Sequence, residues 1–381
     1  VVGRVESGLQ GLDSTLPEPF SKKAGATWPL RLDWVRPRRT DRPETLQLAL
    51  RGDVKALLER HEASGQTRGV LAVGTDAILP PDGMMLALRT PRIDLGAWDR
   101  VFESPGKPAG PSPAGLTGAG GFGAAVNRIS VVADSLAIGG KDFNGVVLGA
   151  TRADDLWRVS VAAQEVNGLL EWQPPRAGLP AGALRGRLAL LRVPRNREGD
   201  IERMLDAPPA RLPALDLDTE RLVLSGRELG RMNLVATNSA DGEHPTWQLE
   251  RLRIDHPGGT LEARGAWEAS QPAAQRATAL DFELSFREPA RLLETFGVSG
   301  AIRGGGPGRL AGKVRWQGSP LAVDFRSLAG AIEIQAGKGQ FLKTEPGFGK
   351  LIGVLNLQSL PRRLSLDFRD VFAEGFAFDS S

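Results

Sequence analysis

The sequence has no cysteine and no tyrosine, and it has only 3 histidines and 4 methionines. Without cysteine the chain can form neither a disulfide framework nor a thiolate metal site. Aromatic residues make up 6% of the chain, which disfavours a platform that stacks nucleic-acid bases. Basic and acidic residues nearly balance, at 48 and 45, and are dispersed, so the net charge of +3 requires no nucleic-acid partner.

Long apolar runs are also missing. A membrane-spanning helix needs about 20 consecutive apolar residues, and no stretch approaches that length. No signal peptide is recognisable. The sequence starts without methionine and stops at Asp379-Ser380-Ser381, so we expect a piece of a longer protein.

Motifs that carry catalysis are absent as well. The sequence contains no HExxH, GxSxG or P-loop pattern. The stretch Gly118 to Gly123 (GAGGFG) formally matches a dinucleotide-binding motif, but a Pro/Gly-rich loop precedes it and a predicted strand follows it. We interpret it as a loop and predict no enzyme activity, no cofactor and no metal site. A carboxylate pair brought together by folding stays open as an alternative.

What the sequence does contain is alternation of apolar and polar residues, most clearly from Leu215 to Trp267. Successive side chains of a strand point to opposite faces, so each such segment has one apolar and one polar face. Turn residues separate the segments, which predicts a β-meander. Its expected strands are Leu215–Leu217, Leu222–Leu224, Met232–Ala236, Trp247–Ile254 and Thr260–Trp267.

The same meander occurs earlier in the chain. Trp157 matches Trp247 at an offset of 90, and Leu170-Glu171 meets Leu261-Glu262. Seven positions match at a constant offset of 86, namely Leu136, Ile138, Gly140, Phe143, Leu148, Ala150 and Thr151 with Leu222, Leu224, Gly226, Leu229, Leu234, Ala236 and Thr237. Length changes are confined to turns, which indicates repeated sheet modules.

We therefore predict a mainly β fold: an elongated, curled antiparallel sheet, groove-like or taco-like, built of repeated meander modules with a few short helices. Helices are expected near 95–102, 200–205, 289–296 and 347–359, with a helical turn at Val54–Arg60. The predicted segments are 1–103 (N-terminal groove segment), 104–126 (Pro/Gly-rich loop), 127–206 (first module), 207–300 (second module) and 301–381 (C-terminal β segment with a capping helix).

An apolar face repeated over many strands needs a cover. Either the sheet curls over its own apolar face, or acyl chains of a ligand cover what stays open. The predicted groove residues are Leu222, Leu224, Trp247, Leu249, Leu261, Leu280, Phe282, Leu284, Phe286, Val314, Trp316, Ile332 and Ile334. Ordinary core packing is the alternative for each of them. Phe348, Leu351, Ile352 and Leu355 form one stripe of a helix that could cap the groove.

The C-terminal stretch resembles the closing segment of the YhdP branch of the AsmA-like family. The residues that carry the resemblance are Gly339, Phe341, Pro346, Gly347, Leu355, Leu360-Pro361-Arg362-Arg363, Leu366-Asp367-Phe368, Gly375 and Phe376. The resemblance covers 215–381 and extends, with fewer specific positions, over 27–210.

The resemblance implies a periplasmic segment of a protein anchored in the inner membrane. It implies a bridge-like groove that conducts phospholipids between the inner and outer membranes, and no catalytic residues. The partners would be phospholipids and the two membranes or their proteins, with no nucleic acid. A non-catalytic envelope scaffold or outer-membrane assembly factor with a closed apolar interior is the alternative, and an envelope hydrolase is a third class.

Overall fold

A computed structural model describes residues 2–38, 42–102, 125–138, 141–193, 212–239, 246–268, 276–296, 302–304, 306–318, 324, 326–337, 339–341 and 377–378. The chain divides into two compact units, Val1–Gln173 and Pro174–Ser381, here called unit one and unit two. The five segments expected from the sequence are not tested by this division and stay a prediction.

Unit one is a meander in which each strand pairs with the next. The pairs β5–β6 and β6–β7 are parallel, and the other pairs are antiparallel. The helix α1 (Leu95–Phe102) lies between β6 and β7. The strands are β1 (Val2–Ser7), β2 (Leu30–Val35), β3 (Glu44–Leu50), β4 (Val54–Arg60), β5 (Thr67–Val73), β6 (Gly83–Asp94), β7 (Val126–Ile138), β8 (Lys141–Ala153), β9 (Leu156–Ala162) and β10 (Val166–Gln173).

Unit two repeats this plan from β11 to β16, after which β18 pairs with β16 and β19 with β18. Only β11–β12 is parallel among these pairs. The helix α2 (Pro289–Thr295) follows β16. The strands are β11 (Ala183–Val193), β12 (Ala214–Leu224), β13 (Arg227–Ser239), β14 (Thr246–His256), β15 (Gly259–Glu268), β16 (Ala277–Phe286), β18 (Gly308–Gln317) and β19 (Ala329–Ala336), with a small sheet of β17 (Ile302–Gly304), β20 (Gly339–Phe341) and β21 (Ala377–Phe378).

The predicted fold class is confirmed: strands dominate, the pairing is mostly antiparallel, and the two helices of the described ranges are short. Both helices lie where the sequence predicts them. The helical turn predicted at Val54–Arg60 is wrong, because these residues form β4. The other two predicted helices, near 200–205 and 347–359, lie outside the described residues, as do the GAGGFG stretch and the loop before it.

The wrong assignment at β4 has a physical cause. A parallel pair needs a connection that crosses over the sheet, and the connection from β5 to β6 places Ala77 and Leu79 against a buried cluster on the second face of the sheet. Leu57 of β4 packs against this cluster, whereas its neighbour Leu58 lies opposite Leu46 on the first face. Because β4 carries apolar residues on both faces, its sequence does not alternate between apolar and polar residues. The resulting spacing of apolar residues resembles that of a helix.

The sequence repeat corresponds to a repeat of strand register. In unit one Val131 lies opposite Leu148, and in unit two Leu217 lies opposite Leu234, each shifted by the predicted 86 positions. The next turn keeps the equivalence. Arg152 lies opposite Trp157, and at the matching register Asn238 lies opposite Trp247. The meander is therefore one structural module used in both units.

The structure changes the alignment of the last strand of the module. Trp157 lies opposite Trp172, and Trp247 lies opposite Trp267. Because these two cross-strand pairs are equivalent, Trp172 of β10 aligns with Trp267 of β15, at an offset of 95. The sequence match of Leu170 with Leu261 has an offset of 91, so it differs from the structural alignment by four residues. The cause is a longer hairpin in unit two: β14 and β15 have 11 and 10 residues, whereas β9 and β10 have 7 and 8. A β-bulge between Leu249 and Leu252 accounts for one of the extra residues.

Candidate functional site

The pairing of unit two puts apolar side chains in rows across neighbouring strands. Leu261, Leu284, Leu310 and Ile334 lie opposite one another on β15, β16, β18 and β19. Directly opposed residues point to the same side of a sheet. Toward one end of the strands, the next rows are Ala263, Phe282, Gly312 and Ile332, then Gly265, Leu280, Val314 and Gly330, then Trp267, Thr278 and Trp316. We call this surface the apolar face.

The apolar face continues over β14, β13 and β12. Ile254 lies opposite both Leu261 and Met232, and Leu252 lies opposite both Ala263 and Leu234. The face therefore crosses seven strands without a charged residue in these rows. Such continuity requires the period of two to be kept through every turn and bulge, because a slip of one residue exchanges the two faces.

Eleven of the thirteen predicted groove residues lie on the apolar face. Trp247 and Trp316 are buried, whereas Leu249, Leu261, Leu280, Phe282, Leu284, Phe286 and Val314 are half-buried. Ile332 and Ile334 are 52% and 68% exposed. Whether these side chains contact a ligand is a proposal. The predicted cap residues Phe348, Leu351, Ile352 and Leu355 lie outside the described residues.

The remaining two residues, Leu222 and Leu224, lie where the register of β12 shifts. Leu222 is opposite Gly230 and is buried. Leu224 lies past the shift, opposite Arg227, and is 43% exposed. A Cβ at Gly230 would lie 2.2 Å from the carbonyl oxygen of Asp255, and φ is +91° there, so the irregularity requires glycine.

Glycines also decide how two phenylalanines lie on the apolar face. A Cβ built at Gly312 would lie 2.9 Å from Cε1 of Phe282, and one at Gly308 would lie 2.5 Å from Cε2 of Phe286. Each ring therefore lies across the strand beside it, over the backbone of a glycine. The rings cover backbone while remaining half-buried, which leaves aromatic surface on the face.

The opposite face of the same strands is charged. Ion pairs link neighbouring strands, including Arg264 with Asp281 at 3.0 Å and Arg309 with Glu283 at 2.9 Å. Arg253 bonds to Asp255, and this hydrogen bond holds the pKa of the Asp255 carboxyl below its ordinary value. Exposed pairs of this kind add little stability. These ion pairs make one face of the sheet charged and hydrated, whereas the other face is apolar.

Unit one has an apolar face of the same kind, although the predicted groove residues all lie in unit two. The signal was present, since β2 and β3 alternate clearly. One row joins nine consecutive strands: Leu32, Leu48, Ala56, Leu71, Leu86, Ile129, Ala150, Val159 and Leu170. Arg152 lies at the edge of this face with its guanidinium 5.5 Å from the ring of Trp157.

Tryptophans close one end of the apolar face in unit two. The indole of Trp247 donates to the carbonyl oxygen of Pro213 at 3.1 Å, and the hydroxyl of Thr278 donates to the carbonyl oxygen of Gly318 at 2.8 Å. Trp267 is 1% exposed, and its Nε1 has no hydrogen-bond partner among the described residues. This end is packed as a protein core.

The described residues hold no group of three side chains that could bind a metal ion. In the same ranges, neither helix has the length and apolarity that crossing a bilayer requires. What the structure presents for function is therefore an extended apolar surface with a charged reverse side.

Comparison of the sequence with known proteins identifies its family. The family model described as "YhdP protein" matches residues 2–381. The chain is also similar to the "Intermembrane phospholipid transporter YhdP" of Escherichia coli strain K12, with 34% identity over 156 residues. That alignment covers 41% of this chain and 12% of the relative's length. No solved structure matches. The match to the family model extends over almost the whole sequence, and the chain belongs to the YhdP family.

Proposed function

We propose that this chain is a periplasmic segment of a bridge-like lipid transfer protein and that it conducts phospholipids along the apolar face between the inner and outer membranes. The observation that carries the proposal is the continuous set of rows of apolar residues from β12 to β19, most of which stay half-buried or exposed. An ordinary core would bury them.

The chemistry of this face suits acyl chains. Removing apolar surface from water contributes about 25 cal/mol per Å², or ~0.8 kcal/mol for each buried methylene. The contact has no preferred direction, so an acyl chain gains similar free energy at each row it passes. A charged headgroup stays in water beside the face. A path needs this uniformity, because one tight site would hold its lipid.

The relative's name supports the substrate class and the compartment. It describes a phospholipid transporter that works between membranes. This chain covers only a small part of that protein, so the substrate, route and compartment come to this chain as parts of the proposal. A non-catalytic scaffold with a closed apolar interior is the competing function, and the packed tryptophan end favours it.

Bound lipid distinguishes the two functions. The chain, expressed in the periplasm and purified without detergent, is expected to carry phospholipid that native mass spectrometry resolves as added mass. Delipidated protein is expected to take up phospholipid from vesicles. Protein that is folded by circular dichroism, carries no lipid and takes up none would contradict the proposal and support the scaffold.

A further inference from the structure

Helix α2 lies against the turn that joins β14 to β15. The carbonyl oxygen of Gly258 accepts hydrogen bonds from the backbone N–H groups of Arg287 and Glu288, at 3.0 and 3.2 Å. A Cβ at Gly258 would lie 2.9 Å from Cγ of Leu292, so the helix lies directly on the glycine. Leu292 also reaches Gly259, which is opposite Phe286 on the apolar face. The helix therefore covers one end of that face.

A histidine holds the other end of the helix. Nδ1 of His256 accepts the backbone N–H of Gly258 at 3.0 Å. This bond fixes Nδ1 as the acceptor, so the neutral ring carries its proton on Nε2. Nε2 lies 3.0 Å from the hydroxyl oxygen of Thr295 and donates to it, and that hydroxyl donates to the carbonyl oxygen of Arg291 at 3.0 Å. The relay joins the turn to the helix only while His256 is neutral.

At its C-terminal end, α2 makes few other side-chain contacts with the described residues. None of its residues is buried. The guanidinium of Arg227 lies 5.4 Å from the ring of Phe296 and donates to its carbonyl oxygen at 3.4 Å. Loss of the relay therefore removes a large share of the contacts at this end.

We propose that α2 is a latch over the end of the apolar face, closed while His256 is neutral and released when His256 is protonated. A second proton would sit on Nδ1, against the N–H of Gly258, so the ring must turn away and lose Thr295 as well. The proposal concerns the docking of the helix and does not depend on lipid transport.

The charges around His256 agree with this direction. Burial, followed by the positive charge of Arg291, lowers the pKa of His256 below its ordinary value. Asp255 on β14 is the nearest carboxylate along the chain and is already bound by Arg253 and Thr260. Glu288 and Arg291 on α2 form a loose pair at 3.8 Å, and Arg227 on β13 faces Phe296.

Protonation of His256 therefore makes the docking of α2 less stable as the pH falls. The released histidine has an ordinary pKa and the docked one a lower pKa, so the released state binds more protons. Docking is fully stable above the pKa of the released ring. Between the two pKa values, the ratio of docked to released helix falls about tenfold for each pH unit.

The absence of cysteine makes the test direct, because only introduced cysteines take a spin label. Labels at the exposed positions Glu294 on α2 and Gln248 on β14 report the docking distance by double electron–electron resonance. We expect one narrow distance at pH 7.5 and a second, longer and broader population at pH 5.0. A matched pair on unit one, at Arg100 of α1 and Asp134 of β7, is expected to show no change, because α1 contains no histidine.

Two variants separate the relay from a general effect of acid. The glutamine of His256→Gln can accept from Gly258 and donate to Thr295 but does not titrate, so its distance is expected to be the same at both pH values. Thr295→Val is expected to raise the released population at pH 7.5. Circular dichroism checks folding of each variant. An unchanged distance in the wild-type chain, or an acid response in His256→Gln equal to the wild type, would overturn the proposal.

Discussion

Replacing Leu284 with lysine is expected to remove the phospholipid bound at the middle of the apolar face of unit two while leaving the sheet folded. Leu284 is half-buried between Leu261 and Leu310, in the middle of the apolar face. An ammonium group among acyl chains costs ~2.5–3.5 kcal/mol at the centre of a bilayer. The same cost here weakens lipid binding on the order of 100-fold. Native mass spectrometry of the purified variant measures the loss.

The matched control is Ser285→Lys, one residue along the same strand. Ser285 is exposed on the charged face, opposite Thr260 and Arg309. The same charge there is expected to leave lipid binding within about twofold of the wild type, since exposed substitutions usually change free energies by less than ~0.5 kcal/mol. Equal losses in both variants, with both folded, would show that the faces do not differ in function.

Trp267→Ala is expected to lower the free energy of unfolding of unit two by about 3–5 kcal/mol. Trp267 is 1% exposed and packs with Ala236 and Trp247, so its removal leaves a cavity. The indole Nε1 has no partner among the described residues, so no hydrogen bond is lost with it. Urea denaturation followed by circular dichroism gives the change.

Two variants check the reason for this loss. Trp267→Phe keeps most of the ring volume, and it is expected to recover more than half of the lost free energy. Trp34→Ala removes an indole that is 39% exposed, and it is expected to cost less than half as much. If Trp267→Ala were no worse than Trp34→Ala, the tryptophan end would not be the packed core described above.

Alternation along strands was enough to predict the apolar face of unit two. Leu280, Phe282, Leu284 and Phe286 needed only a period of two, and the pairing of β16 preserves that period. Bulges are harder to predict, because they depend on a backbone conformation that short sequences specify weakly. The sequence pattern predicts one face for Leu222 and Leu224, although the register shifts between them. Likewise, β12 is one strand where the sequence suggested two.

Contacts between residues that are distant in the sequence could not be predicted from the local pattern. Nothing near Thr295 indicates that its hydroxyl meets His256, 39 residues away. The parallel pair β5–β6 was also missed, because the crossover that makes it covers β4 and β5 on their second face and hides the alternation. The local sequence pattern thus predicts which face of the sheet a residue occupies. The residues that it contacts depend on the tertiary fold, which brings distant segments together.

Photo-crosslinking in cells tests the central claim most directly. A photoreactive amino acid at Phe282 places the probe on the apolar face beside Gly312, and one at Glu283 places it on the charged face opposite Glu262. The proposed function predicts phospholipid adducts at 282 and none at 283. Adducts at neither position in a folded protein would contradict lipid conduction and indicate a closed core, and equal adducts at both would contradict the division of the sheet into two faces.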